Sequence, residues 1–333
     1  MSCSLISRRL VLLVGLLSQL YAGVPNISTR SPCVNSTFGI SADLLVWYAS
    51  QEVTAIWADR IFVGDNTSSW TAEGFDFNWD VGCRVGAHYG MAHDQWDTSL
   101  IWTYFRTSRR ESIPFAEDTV ISPEFFAAFL SGNRPRSYSA KWAILMNMFD
   151  WDLGRSYWVS PRLALRPFIG VKGGWIRQSI EGWYRNLTID DVATDEMGHE
   201  RIKNNFWGVG PLGGIDTTWR LGQFTHNAVD LFGDFSLANL WGTWTCNDTY
   251  TNTTDYKSTV STKNSSLGAL TFRGFMGLGW ECDFDGGQKR LTTKLGYEMQ
   301  IWFDQLRIAT FQLQRLHGDL TLQGVTLNCR CDF

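Results

Sequence analysis

From Phe77 to Met91 the chain reads FNWDVGCRVGAHYGM, and apolar residues alternate with polar residues or glycine at every position. Successive side chains of an extended chain point to opposite faces, so this run predicts a strand with Phe77, Trp79, Val81, Cys83, Val85, Ala87, Tyr89 and Met91 on an apolar face. Asn78, Asp80, Gly82, Arg84, Gly86, His88 and Gly90 share the other face. An ordinary globular strand has ~5–6 residues, and this run is far longer. Aromatics stand at both ends of the apolar face, Phe77 and Trp79 at one and Tyr89 at the other, as on a strand whose greasy side meets hydrocarbon between two interfaces. A long strand of a soluble sandwich is the alternative.

Arg8 and Arg9, the apolar run Leu10–Leu17 and the Tyr21-Ala22-Gly23 zone read as an export signal over residues 1–22. That run is too short to span a bilayer, which takes ~20 apolar residues, and nothing downstream approaches this length. A membrane-embedded chain of this kind must therefore close as a barrel, because open strands leave backbone groups unpaired in lipid. With 333 residues, 44% of them hydrophobic, the chain can form one large β domain, and a formal charge of −4 offers no reason to expect nucleic acid.

The alternation recurs. Phe38–Tyr48 repeats it, with Leu45 and Trp47 interrupting the polar face, and further alternating runs are Trp96–Phe105, Ala140–Trp151, Trp207–Trp219, Val229–Leu237, Leu270–Glu281, Leu291–Phe303 and Val325–Phe333. Tyr157–Ile176 contains Pro161 and Pro167 and reads as one bulged strand or two short ones. Between the runs, long polar stretches at 51–74, 107–137, 179–204, 244–266 and 305–318 alternate with tight turns. Long loops outside and short turns in the periplasm are the phase of a membrane barrel. The expectation is an all-β, transmembrane, antiparallel up-and-down β-barrel over residues 38–333, preceded by a periplasmic segment 23–37. About ten strands are legible, with room for up to sixteen. Ser122-Pro123-Glu124 predicts the start of a short helix inside the second long loop.

Several ordered stretches carry a family resemblance: FDFNWDVGCRVGAHYG, DLGRSYWVSPRLALRPFIGVKGGWI, NNFWGVGPLGGIDTTW, LGWECDF, LGYEMQIW and GDLTLQGVTLNCRCDF. Together they resemble the Legionella-type pore-forming major outer membrane proteins and the related MOMP-like proteins of chlamydia-like bacteria. The resemblance implies a barrel in the outer membrane of a Gram-negative bacterium that passes small solutes. Cys329 and Cys331 depart from the pattern of the Legionella-type members.

A pore needs no catalytic group, and its selectivity comes from size and lining charge. The polar faces place Asp80, Arg84, His88, Arg273, Glu281, Lys294, Glu298 and Arg330 toward the lumen, and their mixed signs predict weak ion selectivity. The plainer expectation for each is an ion pair that braces the wall. Cys83, Cys282, Cys329 and Cys331 fall on apolar faces, whereas Cys33 and Cys246, in polar segments, are the cross-linking candidates, though on opposite sides of the membrane. No metal, cofactor or nucleophile signature accompanies the five histidines. Phe333, ending an amphipathic strand, resembles the signal read by the barrel-assembly machinery. Expected partners are outer-membrane lipid, that machinery and small hydrophilic solutes and ions, with homo-oligomers or disulfide-linked envelope proteins as further partners. Two other readings stand beside the porin-like channel: an adhesin or envelope scaffold with a plugged lumen, and a secreted carbohydrate-binding β protein.

Overall fold

The structure is a computed structural model and describes residues 36–51, 57–63, 67–92, 94–114, 119–123, 134–189, 192–193, 196–253, 255–285, 288–309 and 315–333. The export signal, the segment 23–35, Cys33 and most of the expected 122–130 helix lie outside them; Ser122 and Pro123 are strand residues.

The strands in chain order are β1 (Thr37–Gln51), β2 (Ala58–Val63), β3 (Ser68–Glu73), β4 (Trp79–Gly90), β5 (Trp96–Ile113), β6 (Thr119–Pro123), β7 (Arg134–Arg155), β8 (Tyr157–Ser160), β9 (Leu163–Ile189), β10 (Val192–Ala193), β11 (Met197–Gln223), β12 (Asn227–Asn252), β13 (Lys257–Phe284), β14 (Lys289–Ala309) and β15 (Arg315–Asp332). Ten of them, β1, β4, β5, β7, β9 and β11 to β15, pair antiparallel with their neighbours in that order. β15 pairs back onto β1 from Gly39↔Asp332 to Gln51↔Leu320, which closes the barrel and removes its edges. The expected strand number and the loop phase both hold. Asp94 and Gln95 take φ of 60° and 57° in the periplasmic turn after β4, the left-handed conformation a tight hairpin requires.

The outer face carries the apolar residues. Ile40, Leu44, Val81, Val85, Leu100, Ile169, Leu237, Leu278 and Leu295 are all exposed there, in the band a bilayer covers. Trp79, Trp175, Trp207 and Trp241 border it toward the long loops, and Tyr89, Trp96, Trp219 and Trp280 toward the short turns. On β11, Trp207 and Trp219 stand twelve residues apart. That is about 40 Å of strand, or about 28 Å of height at ~45° tilt, matching a hydrocarbon core of ~30 Å.

Two expectations are corrected. The stretches 179–204 and 244–266 are mainly strand: β9, β11, β12 and β13 run to 26–28 residues and rise as paired ribbons far above the tryptophan border. Their polar composition suggested loops, but neighbouring strands satisfy the backbone, and the Thr and Tyr residues suit a pleated, half-wet surface. Likewise β5 and β7 extend into 107–137 and β14 and β15 into 305–318. Of the two readings of Tyr157–Ile176 the division holds, with a short β8 and a long β9: Pro161 sits in the turn between them, and β8 folds back on β9 without changing the phase. Phe77 is not on the lipid face. It precedes β4, is 3% exposed, and packs with Phe75 against Trp142, whose side chain points inward from β7. Alternation continues in the sequence one step past the strand's end.

β2, β3 and β6 form a separate three-stranded sheet from the first two long connections. Ala58 and Ile121 join Trp57 and Tyr138 in the buried cluster at the extracellular end.

Candidate functional site

The interior is layered. Toward the periplasm it is ionic. Arg84 on β4 donates through Nη1 to Asp43 on β1 (2.9 Å) and through Nη2 to Glu298 on β14 (2.7 Å). β4 and β14 are separated by β1 and β15, so this contact runs through the lumen rather than along the wall. Glu298 also accepts from Arg273 Nε (2.6 Å), Thr326 Oγ1 (2.9 Å) and Gln300 Nε2 (3.0 Å), a full complement for a carboxylate that is 1% exposed. Arg166 serves three carboxylates, Asp97, Asp152 and Asp216. Arg220 serves two, Asp230 and Glu281, while Lys172 pairs with Asp150 and Lys294 with Asp234.

Above this layer the lumen is closed by buried amides and indoles. Gln178 on β9 donates to Gln51 Oε1 on β1 (3.1 Å) and to Gln305 Oε1 on β14. Four strand steps separate β9 from each of those strands, so the three glutamines bolt one wall to the other. Trp142 Nε1 donates to Gln178 Oε1 (2.9 Å) and Trp244 Nε1 to the Gln305 carbonyl (2.9 Å). Trp47, Trp142, Trp244 and Trp302 are among the largest fully buried side chains, and Leu45, Phe105, Ile144, Met146, Leu320 and Leu322 fill the space around them. A barrel of about eight strands is just wide enough for side chains to fill, and ten strands do not exceed that by much.

Higher still, above the tryptophan border, Tyr138 stacks on Tyr184 (4.9 Å, 1° between planes), and Tyr184 Oη donates to Glu200 Oε2 (2.9 Å). Glu200 on β11 is diagonal to Asp248 on β12, and both are fully buried. Burial, then the neighbouring Asp248 carboxylate, holds the Glu200 carboxyl well above the usual range, and burial lifts Asp248 to about 7. Among the described residues Glu200 Oε1 and both Asp248 oxygens have no hydrogen-bond partner, and a proton on one acid gives the pair a bond to share.

The eight residues expected to line the lumen are distributed unequally. Arg84, Glu298 and Arg273 converge in one cluster, Glu281 meets Arg220, and Lys294 meets Asp234. Asp80 accepts from Thr107 Oγ1 (2.6 Å), His88 Nε2 lies 2.9 Å from Ser41 Oγ, and Arg330 pairs with Asp332. Cys246, expected in a polar surface loop, is 3% exposed among the core residues, out of reach of an intermolecular cross-link unless the barrel opens. Cys83 and Cys329 are exposed on the outer face, while Cys282, expected beside them, is covered. Sequence reading missed the glutamine bolt. Its one trace was Leu45 and Trp47 on a polar face, which marked where the lumen becomes a core. Among the described residues, no three of His, Cys, Asp and Glu converge as metal ligands.

A barrel closed on itself, with a lipid-facing belt bounded by aromatics and an ion-paired interior, defines the class: an integral β-barrel protein of a Gram-negative outer membrane. The chain belongs to the family described as Legionella pneumophila major outer membrane protein precursor, whose pattern it matches over residues 30–333. No curated protein matches the chain. Among solved structures it is similar to the outer membrane protease OmpT from Escherichia coli, at 11% identity and TM-score 0.43, covering 92% of this chain and 99% of that one. It is also similar to a Pseudomonas aeruginosa FadL homologue (9%, TM-score 0.29, covering 94% and 95%) and to the P. putida toluene transporter TodX (11%, TM-score 0.28, covering 95% and 91%). These likenesses are too distant to carry an argument about what the chain does.

Proposed function

We propose that the protein is a narrow outer-membrane channel for small hydrophilic solutes and ions, closed at rest by the Gln51–Gln178–Gln305 bolt and its tryptophans, with no catalytic step. The observation that carries this reading is the bolt itself: neutral, non-covalent side chains close a lumen whose periplasmic half is polar and charged. Amide side chains can swing aside without breaking an ion pair. In the layer below, carboxylates outnumber the guanidiniums that serve them at Arg166 and Arg220, which favours cations. Asp80, Arg84, His88, Arg273, Glu281, Lys294, Glu298 and Arg330 line the path in this reading. Phe333 is proposed as the assembly signal; its backbone exchanges bonds with Phe38 at the closing seam, and its side chain is exposed.

Planar-bilayer recording tests the channel. The expected result is small, infrequent, cation-favouring steps for the natural chain and several-fold larger or longer ones for Gln178→Ala, which removes both arms of the bolt. The packed aromatic interior favours one competing reading, an envelope scaffold or adhesin with a permanently plugged lumen. Absence of stepwise conductance from folded natural chain and from Gln178→Ala alike decides for the scaffold.

A further inference from the structure

The outward face of β5, β7, β9 and β11 combines an apolar furrow with a rim of cations. Gly173 lies on the outer face of β9 between Val171 and Trp175, and the absent side chain opens a furrow of ≈ 620 Å³. Phe149 and Trp151 of β7 wall it on one side and Trp207 and Val209 of β11 on the other. The furrow lies within the lipid-facing band, its upper end at the tryptophan border.

Within a residue or two of that border the outward positions change chemistry. Tyr104 gives way to Arg106 on β5, Trp175 to Arg177 on β9, and Trp207 to Asn205 and Lys203 on β11. Arg106 and Arg177 both stand opposite Leu145 of β7, so their strands are two steps, or about 10 Å, apart. Arg106, Arg177, Lys203 and Lys141 are exposed and make no ion pair or hydrogen bond among the described residues. Inside the barrel, by contrast, Arg84, Arg166, Lys172, Arg220, Arg273 and Lys294 are each paired with carboxylates, and on the outer face Arg201 is paired with Glu181, level with Lys141. Unpaired like charges packed together repel one another, and an anion held among them relieves that cost.

We propose that this face is a binding site for a phosphorylated, multiply acylated glycolipid of the outer leaflet. One acyl chain lies in the Gly173 furrow, and the phosphates sit on Arg106, Arg177 and Lys203. The charge complementarity and the direct continuity of cations with a hydrocarbon-lined furrow select this occupant over a second copy of the chain, which would bring the same cations against each other. Arginine suits phosphate because its planar fork donates two parallel bonds. The proposal rests on the outer-membrane placement of the barrel and not on the channel reading.

Native mass spectrometry of the folded, full chain in detergent tests it, with diphosphoryl lipid A, monophosphoryl lipid A and phosphatidylglycerol as probes. Diphosphoryl lipid A is expected to bind at least about tenfold more tightly than phosphatidylglycerol, with the monophosphoryl form between them. The triple variant Arg106→Ala/Arg177→Ala/Lys203→Ala, all exposed positions, is expected to lose that preference. Lys257→Ala/Lys263→Ala, which removes exposed cations from β13, is expected to keep it. Equal binding by the triple variant and the natural chain overturns the proposal, as do equal affinities for all three lipids or a dimer that excludes the lipid from this face.

Discussion

Arg84 reaches from β4 past β1 and β15 to Glu298, and the pair is almost wholly withdrawn from water, with side chains 7% and 1% exposed. A buried pair adds little beyond what a well-packed apolar pair would, but removing one partner strands the other. Arg84→Ala leaves Asp43 without its cation and Glu298 with only Arg273, so it is expected to cost about 3–5 kcal/mol, read as a lower urea midpoint for loss of the folded band on unheated gels. Glu200 and Asp248 make the opposite case. Both acids hold protons more tightly folded than unfolded, so their contribution is complete below about pH 4 and is lost as pH rises, the Asp248 part levelling off above about 7. The same unfolding measurement is expected to show stability falling between pH 4 and 7. Glu200→Gln should flatten that slope and raise stability at pH 8, by an amount on the order of a few kcal/mol. An unchanged slope in Glu200→Gln would show that the pair does not share a proton.

At the level of elements, the extracellular ribbons are where composition and structure part most. The polar run 244–266 has the residues of a loop, yet Trp244, Cys246, Asp248 and Tyr250 alternate inward, and every residue from Thr243 to Asn252 faces a partner on β11. Two neighbouring strands of equal reach make a ladder out of a segment that would not form one alone. Amide hydrogen exchange is therefore expected to show 244–250 protected for minutes to hours, comparably to 229–241 in the bilayer band. Exchange within seconds would return this segment to a loop. Close backbone approach holds these ribbons together where they enter the membrane: a Cβ at Gly210 would collide with the Asn239 carbonyl and one at Gly242 with the Trp207 carbonyl.

At the scale of the whole molecule, ten strands set a lumen that the chain's own side chains can close, and the distribution of polarity decides what closes it where. Alternation between two faces made the barrel legible, because lipid outside and a mixed interior impose a period of two on every strand, and the spacing of turns supplied the strand number and sidedness. The inward address of Arg84, Glu298 and their companions followed from the same parity. Partners were another matter. Parity says that Gln51, Gln178 and Gln305 face inward but not that they share a level, since level depends on strand stagger around a closed sheet. Nor does it say that Phe77, one step beyond the end of β4, turns over the rim instead of continuing the lipid face. Local sequence thus determined which side of the wall each residue within a strand occupies, because that depends only on neighbours along the chain. The closed barrel alone decided which side chains meet across the lumen, because those contacts join strands whose relative height no single segment encodes.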